Sequence, residues 1–144
     1  MSGDRPADTR HLPLPDADTT EFWAATAEHR LLVKRCSDCG VEHLYPRRRC
    51  SSCLSDRTAW REHSGTGRVV TYTVVHQAGS RAFRERVPYV LAIVELDGGA
   101  RLMSNVLGEP DAVAIDMSVT VAWRSEGTPD DPVVLPVFEP VADR

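Results

Sequence analysis

Read from the N-terminus, the apolar positions fall into three textures. Residues 1–16 (MSGDRPADTRHLPLPD) contain Pro6, Pro13 and Pro15 and almost nothing to bury, which predicts a flexible, extended arm. In DADTTEFWAATAEHRLL, Trp23, Ala27 and Leu31 recur every four residues, with Phe22 and Thr26 beside them. That spacing predicts an amphipathic helix of two to three turns. Asp18 followed three residues later by Glu21 supplies its start, with an acid in the first turn. So short a helix is marginal alone in water and must dock, either on its own domain or, as an aromatic handle, on a partner.

From Leu31 to Arg61 the pattern loses its periodicity: four cysteines and many basic residues, with few apolar side chains. From Gly65 onward it becomes strand-like. GRVVTYTVVH (67–76) is rich in Val, Thr and Tyr, and VPYVLAIVEL (87–96) is a nearly continuous apolar run, the pattern of a strand buried on both faces. Asp97-Gly98-Gly99 marks a turn into the hairpin partner ARLMSNVLG (100–108). SVTVAW (118–123) alternates, EGTPDDP (126–132) reads as a turn-rich loop, and VVLPVFEP (133–140) is the last strand. Pro136 inside that run predicts an edge or bulged strand. Five strands without an intervening helix predict a mainly β chain whose edges are hidden in a small barrel or sandwich. A long, strongly twisted first strand suits the five-stranded OB-fold barrel.

Composition narrows this reading. The chain has 144 residues, 42% apolar and 26% charged, enough for one domain with a small appendage, and it excludes collagen-like, coiled-coil and wholly disordered classes. No apolar run approaches the roughly 20 residues of a membrane helix. Asp4, Asp8, Asp16, Asp18 and Glu21 suit neither a secretory signal nor a transit peptide, so a cytoplasmic location is expected. The net charge is −4, which weighs against nucleic acid as a partner. All of that excess lies in residues 63–144, with seven basic and eleven acidic side chains.

The chemistry lies in the cysteines. Cys36-Ser-Asp-Cys39 and Cys50-Ser-Ser-Cys53 form C-x2-C-x10-C-x2-C, two knuckles whose thiolates can close a tetrahedral S4 site. Gly40 after the first knuckle suits a tight turn. Zinc is the expected ion, and iron uses the same four ligands. Four thiolates leave no open position, so the metal is expected to be structural, with metal binding supplying the folding free energy of a segment poor in apolar residues. Lys34, Arg35, Arg47, Arg48, Arg49, Arg57 and Arg61 surround it, either screening the anionic centre or forming an anion-facing patch.

No catalytic residue stands out. Ser64-Gly65 and Ser104-Asn105 are not nucleophile elbows. His11, His29, His43, His63 and His76 show no pairing that suggests a triad, and Gly65-Thr-Gly67 is no phosphate loop. The chain reads as non-catalytic by itself. Tyr72, Phe83, Tyr89, Trp123 and Phe138 are few and mostly core-like, a poor platform for single-stranded nucleic acid.

Phe22-Trp23, Leu31-Leu32, Cys36-x-x-Cys39-Gly40, Pro46, Cys50-x-x-Cys53, Trp60, Ser64-Gly65-x-Gly67 and Thr71–His76 are together closely similar to the domain of unknown function 35 family. Pro88-Tyr89, Ile93–Leu96 and Pro136-Val137-Phe138-x-Pro140 continue the likeness, which covers about residues 16–140. The resemblance implies a flexible arm (1–16), a helix and lead-in strand (17–33), a rubredoxin-like zinc ribbon (34–62), an OB-fold (63–140) and a short tail (141–144). It implies Cys36, Cys39, Cys50 and Cys53 as zinc ligands. It also implies an accessory subunit of a thiolase-like partner, such as a lipid-transfer-protein-like thiolase or an aldolase, in a hetero-oligomer acting on fatty or steroid acyl-CoA. The alternative is a freestanding module binding single-stranded nucleic acid or CoA. In the accessory-subunit reading the ribbon arginines, or the loop Gly79–Arg86 with Phe83 at its tip, could meet CoA phosphates or an acidic partner surface.

Overall fold

The computed structural model describes residues 12–142, so most of the arm expected at 1–16 and the end of the tail lie outside the described residues. The helix α1 (Thr20–Ala27) has eight residues, just over two turns, within the length the periodicity predicts. Its entry is organised by Asp16 rather than Asp18. The Asp16 carboxylate accepts the N–H groups of Asp18 and Thr19 and the Thr19 hydroxyl, and its carbonyl takes the Thr20 N–H. The helix stops where His29 turns to φ 59°. Its buried face is Phe22, Ala25 and Thr26, not the Trp23–Ala27 stripe, because α1 packs on β1 (Leu31–Cys36) and on β8 (Asp131–Pro140) of the barrel. The helix therefore docks on its own chain.

β1, β2 (Glu42–His43) and β3 (Thr58–His63) form a three-stranded antiparallel sheet in the order β2-β1-β3. Leu31, Leu32 and Val33 of β1 are buried, so this segment is richer in core than its composition suggests. They join one continuous core that runs from Phe22 through Val33, Val69 and Val94 to Phe138.

β4 (Thr66–Val75), β5 (Tyr89–Leu96), β6 (Arg101–Val106), β7 (Ser118–Thr128) and β8 close into a barrel in the order β4-β5-β6-β8-β7, the OB-fold expected. A register shift between Val69 and Thr71 marks a bulge that bends β4, so that its start pairs with β7 and its length with β5. Two strand readings need correction. β5 alternates: Val90, Ala92, Val94 and Leu96 are buried while Leu91 and Ile93 are only half-buried, because the outer face of the barrel is not fully covered. β8 is not an edge: it pairs along its whole length with β7 and meets β6 in parallel at Val106–Phe138. Pro136 is buried opposite Trp123 and ahead of that single β6 pairing, where no β6 ladder needs its missing N–H. The expected loop at 126–132 shrinks to a hairpin in which Thr128 faces Asp131. No helix among the described residues is long and apolar enough to cross a membrane.

Candidate metal centre

β1 ends on Cys36, and the two knuckles lie in the loops that flank β2. The four sulfurs of Cys36, Cys39, Cys50 and Cys53 all lie within 4.8 Å of one another. Two of the pairs, Cys36–Cys53 and Cys39–Cys50, are 3.6 Å apart. A tetrahedron with bonds of ~2.3 Å to sulfur has edges of about 3.8 Å, so the four thiols fit one ion of zinc's size. All four are free, and their separations are far longer than an S–S bond of ~2.0 Å.

The knuckles are near copies. The Gly40 N–H donates to the Cys36 carbonyl at 2.9 Å, and the Leu54 N–H to the Cys50 carbonyl at 3.1 Å. Both residues then adopt positive φ, 76° at Gly40 and 62° at Leu54. The first turn uses glycine where left-handed backbone is cheap, and the second places an exposed Leu54 there. Backbone N–H groups of Cys53 and Ser52 hold the Cys50 thiol down at about 7. The Ser55 N–H also favours the Cys53 thiolate, but burial and the three neighbouring sulfurs outweigh it and push that thiol up to about 12. Four thiols this close cannot all ionise without a cation among them.

Side chains lock the two knuckles together. Asp38, in the first, accepts the Ser55 hydroxyl of the second and pairs with Arg57 at 3.1 Å. The Ser37 hydroxyl donates to the Arg57 carbonyl. The basic cluster of the sequence is thereby divided. Arg57 is held by Asp38, and Arg61 and Arg35 by Glu42, whereas Arg47, Arg48 and Arg49 are exposed. Lys34 lies over the Trp60 ring at 4.6 Å.

The junction with the barrel rests on residues that the sequence pattern does not single out. The buried Glu42 carboxylate receives Arg61 Nε at 2.7 Å and turns its other oxygen toward Gly98. His63 is buried at the end of β3, where its Nδ1 accepts the Gly65 N–H, leaving Nε2–H to donate to the Asp97 carbonyl. The Thr66 hydroxyl donates to the Asp97 carboxylate. The β5–β6 turn is thus clasped by the ribbon. The usable signal in the sequence is His63 beside Ser64-Gly65-x-Gly67, read against the Asp97-Gly98-Gly99 turn. His43 is also buried, and its ring nitrogens have no hydrogen-bond partner among the described residues.

Comparison with known proteins follows the same division. Residues 23–59 match the family described as "ChsH2, rubredoxin-like zinc ribbon domain", and residues 60–124 that described as "ChsH2, C-terminal OB-fold domain". A probable enoyl-CoA hydratase alpha subunit of Thermomonospora curvata is 35% identical over 94% of this chain, which spans 41% of that relative's length. A DUF35 domain-containing scaffold protein of Methanocaldococcus jannaschii is 36% identical over 77% of this chain and 80% of its own. Among solved structures, a chain of the "Ltp2-ChsH2(DUF35) aldolase" superposes with a TM-score of 0.76 at 36% identity, covering 90% of this chain and 98% of that one.

Proposed function

Since this chain belongs to the DUF35 family of zinc-ribbon and OB-fold proteins, we propose that it is a non-catalytic accessory subunit that docks on a thiolase-like partner acting on acyl-CoA. The observation that carries this reading is the likeness, over nearly the whole of its length, to the small chain of an aldolase complex. The hydratase alpha subunit named in T. curvata supports acyl-CoA as the substrate class. In this reading the partner makes or breaks the C–C bond, and a fatty or steroid acyl group is carried on the thioester.

Cys36, Cys39, Cys50 and Cys53 hold a zinc ion, whose contribution is structural because four thiolates complete its coordination. The ion fixes the knuckles, the knuckles fix β2, and Glu42 on β2 sets the ribbon against the β5–β6 turn of the barrel. The ribbon and barrel are thereby presented to a partner as one rigid body. Co-expression with a thiolase-like chain of the same organism should give a stoichiometric complex that survives gel filtration, with thioester turnover in the complex and none in the isolated small chain. Turnover by the isolated chain would remove the proposal.

A further inference from the structure

The four sulfurs are not equally open to solvent. Each knuckle buries its first cysteine and exposes its second: Cys36 and Cys50 are 0% and 1% exposed, whereas Cys39 and Cys53 lie at the surface. The repeat has local causes. Cys36 is the last residue of β1 and lies within the sheet, and the Ser52 N–H donates to the Cys50 sulfur at 3.4 Å. Beyond each buried cysteine the chain turns outward to positive φ, at Gly40 and at Leu54, with the second cysteine just before that turn.

The two sulfur pairs at 3.6 Å each join an exposed cysteine to a buried one, Cys53 to Cys36 and Cys39 to Cys50. Both pairs cross from one knuckle to the other. Asp38, through the Ser55 hydroxyl and Arg57, holds the knuckles in that apposition. An S–S bond measures ~2.0 Å, so each pair has to close by about 1.6 Å to form one. Four thiolates fill the coordination of a metal, yet the exposed ones remain nucleophiles toward a small oxidant. An accessible thiolate poised beside a resolving cysteine is the arrangement of a redox-sensing site.

We propose that Cys39 and Cys53 are oxidation sites for hydroperoxides, with Cys50 and Cys36 as their resolving thiols, and that oxidation releases the metal and loosens the ribbon from the barrel. The Cys53 thiolate attacks one oxygen of hydrogen peroxide; the O–O bond breaks, hydroxide leaves and Cys53 becomes a sulfenic acid. The Cys36 thiolate then attacks that sulfur, the S–S bond forms and a second hydroxide leaves. Two thiolates have lost two electrons, and one peroxide has taken them up. Cys39 and Cys50 repeat the sequence with a second peroxide. Each disulfide removes two of the four thiolate ligands, so metal affinity collapses. The knuckles then no longer fix β2, which carries Glu42, the contact of the ribbon with the Gly98 turn. The common core contains none of the four sulfurs, so the barrel stays folded. This inference rests on the cysteines and not on the partner proposed above.

The test is treatment of the full, zinc-loaded chain with hydrogen peroxide. Zinc release is followed with a chromophoric chelator, disulfides are mapped by mass spectrometry, and hydrogen exchange reports the fold. Peroxide should speed zinc release at least about tenfold over the untreated chain. The map should show Cys36–Cys53 and Cys39–Cys50 within one chain. Exchange protection should be lost in the knuckles and kept in β5, and a thiol reductant with added zinc should restore it. Cys39→His with Cys53→His keeps a Cys2His2 set for zinc and removes both exposed sulfurs, so it should retain metal at peroxide concentrations that strip the parent chain. The disulfide map of the parent decides even if that variant takes up no metal. Zinc release at the untreated rate, disulfides within a knuckle or between chains, or a zinc-loaded histidine variant as sensitive as the parent would overturn the inference.

Discussion

Glu42 of the ribbon and Gly98 of the barrel stand in direct apposition: a Cβ at position 98 would lie 2.5 Å from Glu42 Oε2. A real Cβ essentially never sits so close, and Gly98 also has φ 103°. Neighbouring Gly99 has almost the same backbone, φ 99°, with nothing within 4 Å of its Cβ position. The pair separates backbone strain from contact across the junction. Gly99→Ala should cost about 1–3 kcal/mol of stability in urea unfolding, the strain of positive φ alone. Gly98→Ala should cost measurably more, because it also displaces a buried carboxylate. Equal losses would mean that the Glu42–Gly98 contact carries no weight.

Arg61 donates to the same carboxylate at 2.7 Å, whereas Arg35 approaches it at 3.5 Å. Arg61→Ala removes the close partner of an acid whose side chain is 4% exposed, and should destabilise the fold by about 1–3 kcal/mol. Arg35→Ala should cost under about 1 kcal/mol, as for a long, half-exposed pair. Denaturant midpoints of the two variants would check the order.

Removing the metal should affect the chain unevenly. β1 contributes Leu31, Leu32 and Val33 to the common core, so it keeps an anchor without the ion. The two knuckles themselves have none, although Leu44 between them packs against that core and β2 pairs with β1. Chelation, or Cys50→Ser, should abolish hydrogen-exchange protection in the two knuckles and leave the amides of β5 protected. Loss of protection in β5 as well would show that the barrel depends on the ion. Cys50 ionises at about 7 and Cys53 only at about 12, and the thiolates are the ligands, so uptake should release protons and affinity should fall steadily as the pH is lowered, through neutrality and below it.

His43 gives a second pH dependence. Burial first, then the charges of Lys34 and Arg47, hold its ring below the ordinary 6.5. The unfolded chain therefore takes up this proton before the folded one as pH falls. The stability is fully present above about 6.5 and is lost progressively below it, down to the depressed folded value. With zinc kept saturating, His43→Leu should show a smaller drop in urea midpoint between about pH 7.5 and about pH 5.5 than the parent chain. An unchanged drop would assign it to other groups.

Much of this architecture is legible in the residues. The C-x2-C pairs name four groups that the fold does bring together, because ligand spacing is a local property. The hairpin at Asp97-Gly98-Gly99 and the five strands follow from turn chemistry and β-branched runs. What periodicity misreads depends on partners distant in sequence. Phe22 and Thr26 replace the Trp23–Ala27 stripe because β1 and β8 together decide which face of α1 is covered. Pro136 would exclude an interior strand only if β8 had to pair on both sides at that residue, and barrel closure places the β6 contact beyond it at Phe138. Glu42 and His63 look like ordinary surface polar residues until the β5–β6 turn lies against them.

The most direct test is to co-express the chain with a thiolase-like protein from its own organism and weigh the purified product by native mass spectrometry, with acyl-CoA turnover assayed on the complex and on each chain alone. A defined hetero-oligomer containing zinc, with activity that requires both chains while the small one alone is inert, is the predicted result. A small chain that stays free in the presence of every such candidate, or that transforms a thioester unaided, would contradict it.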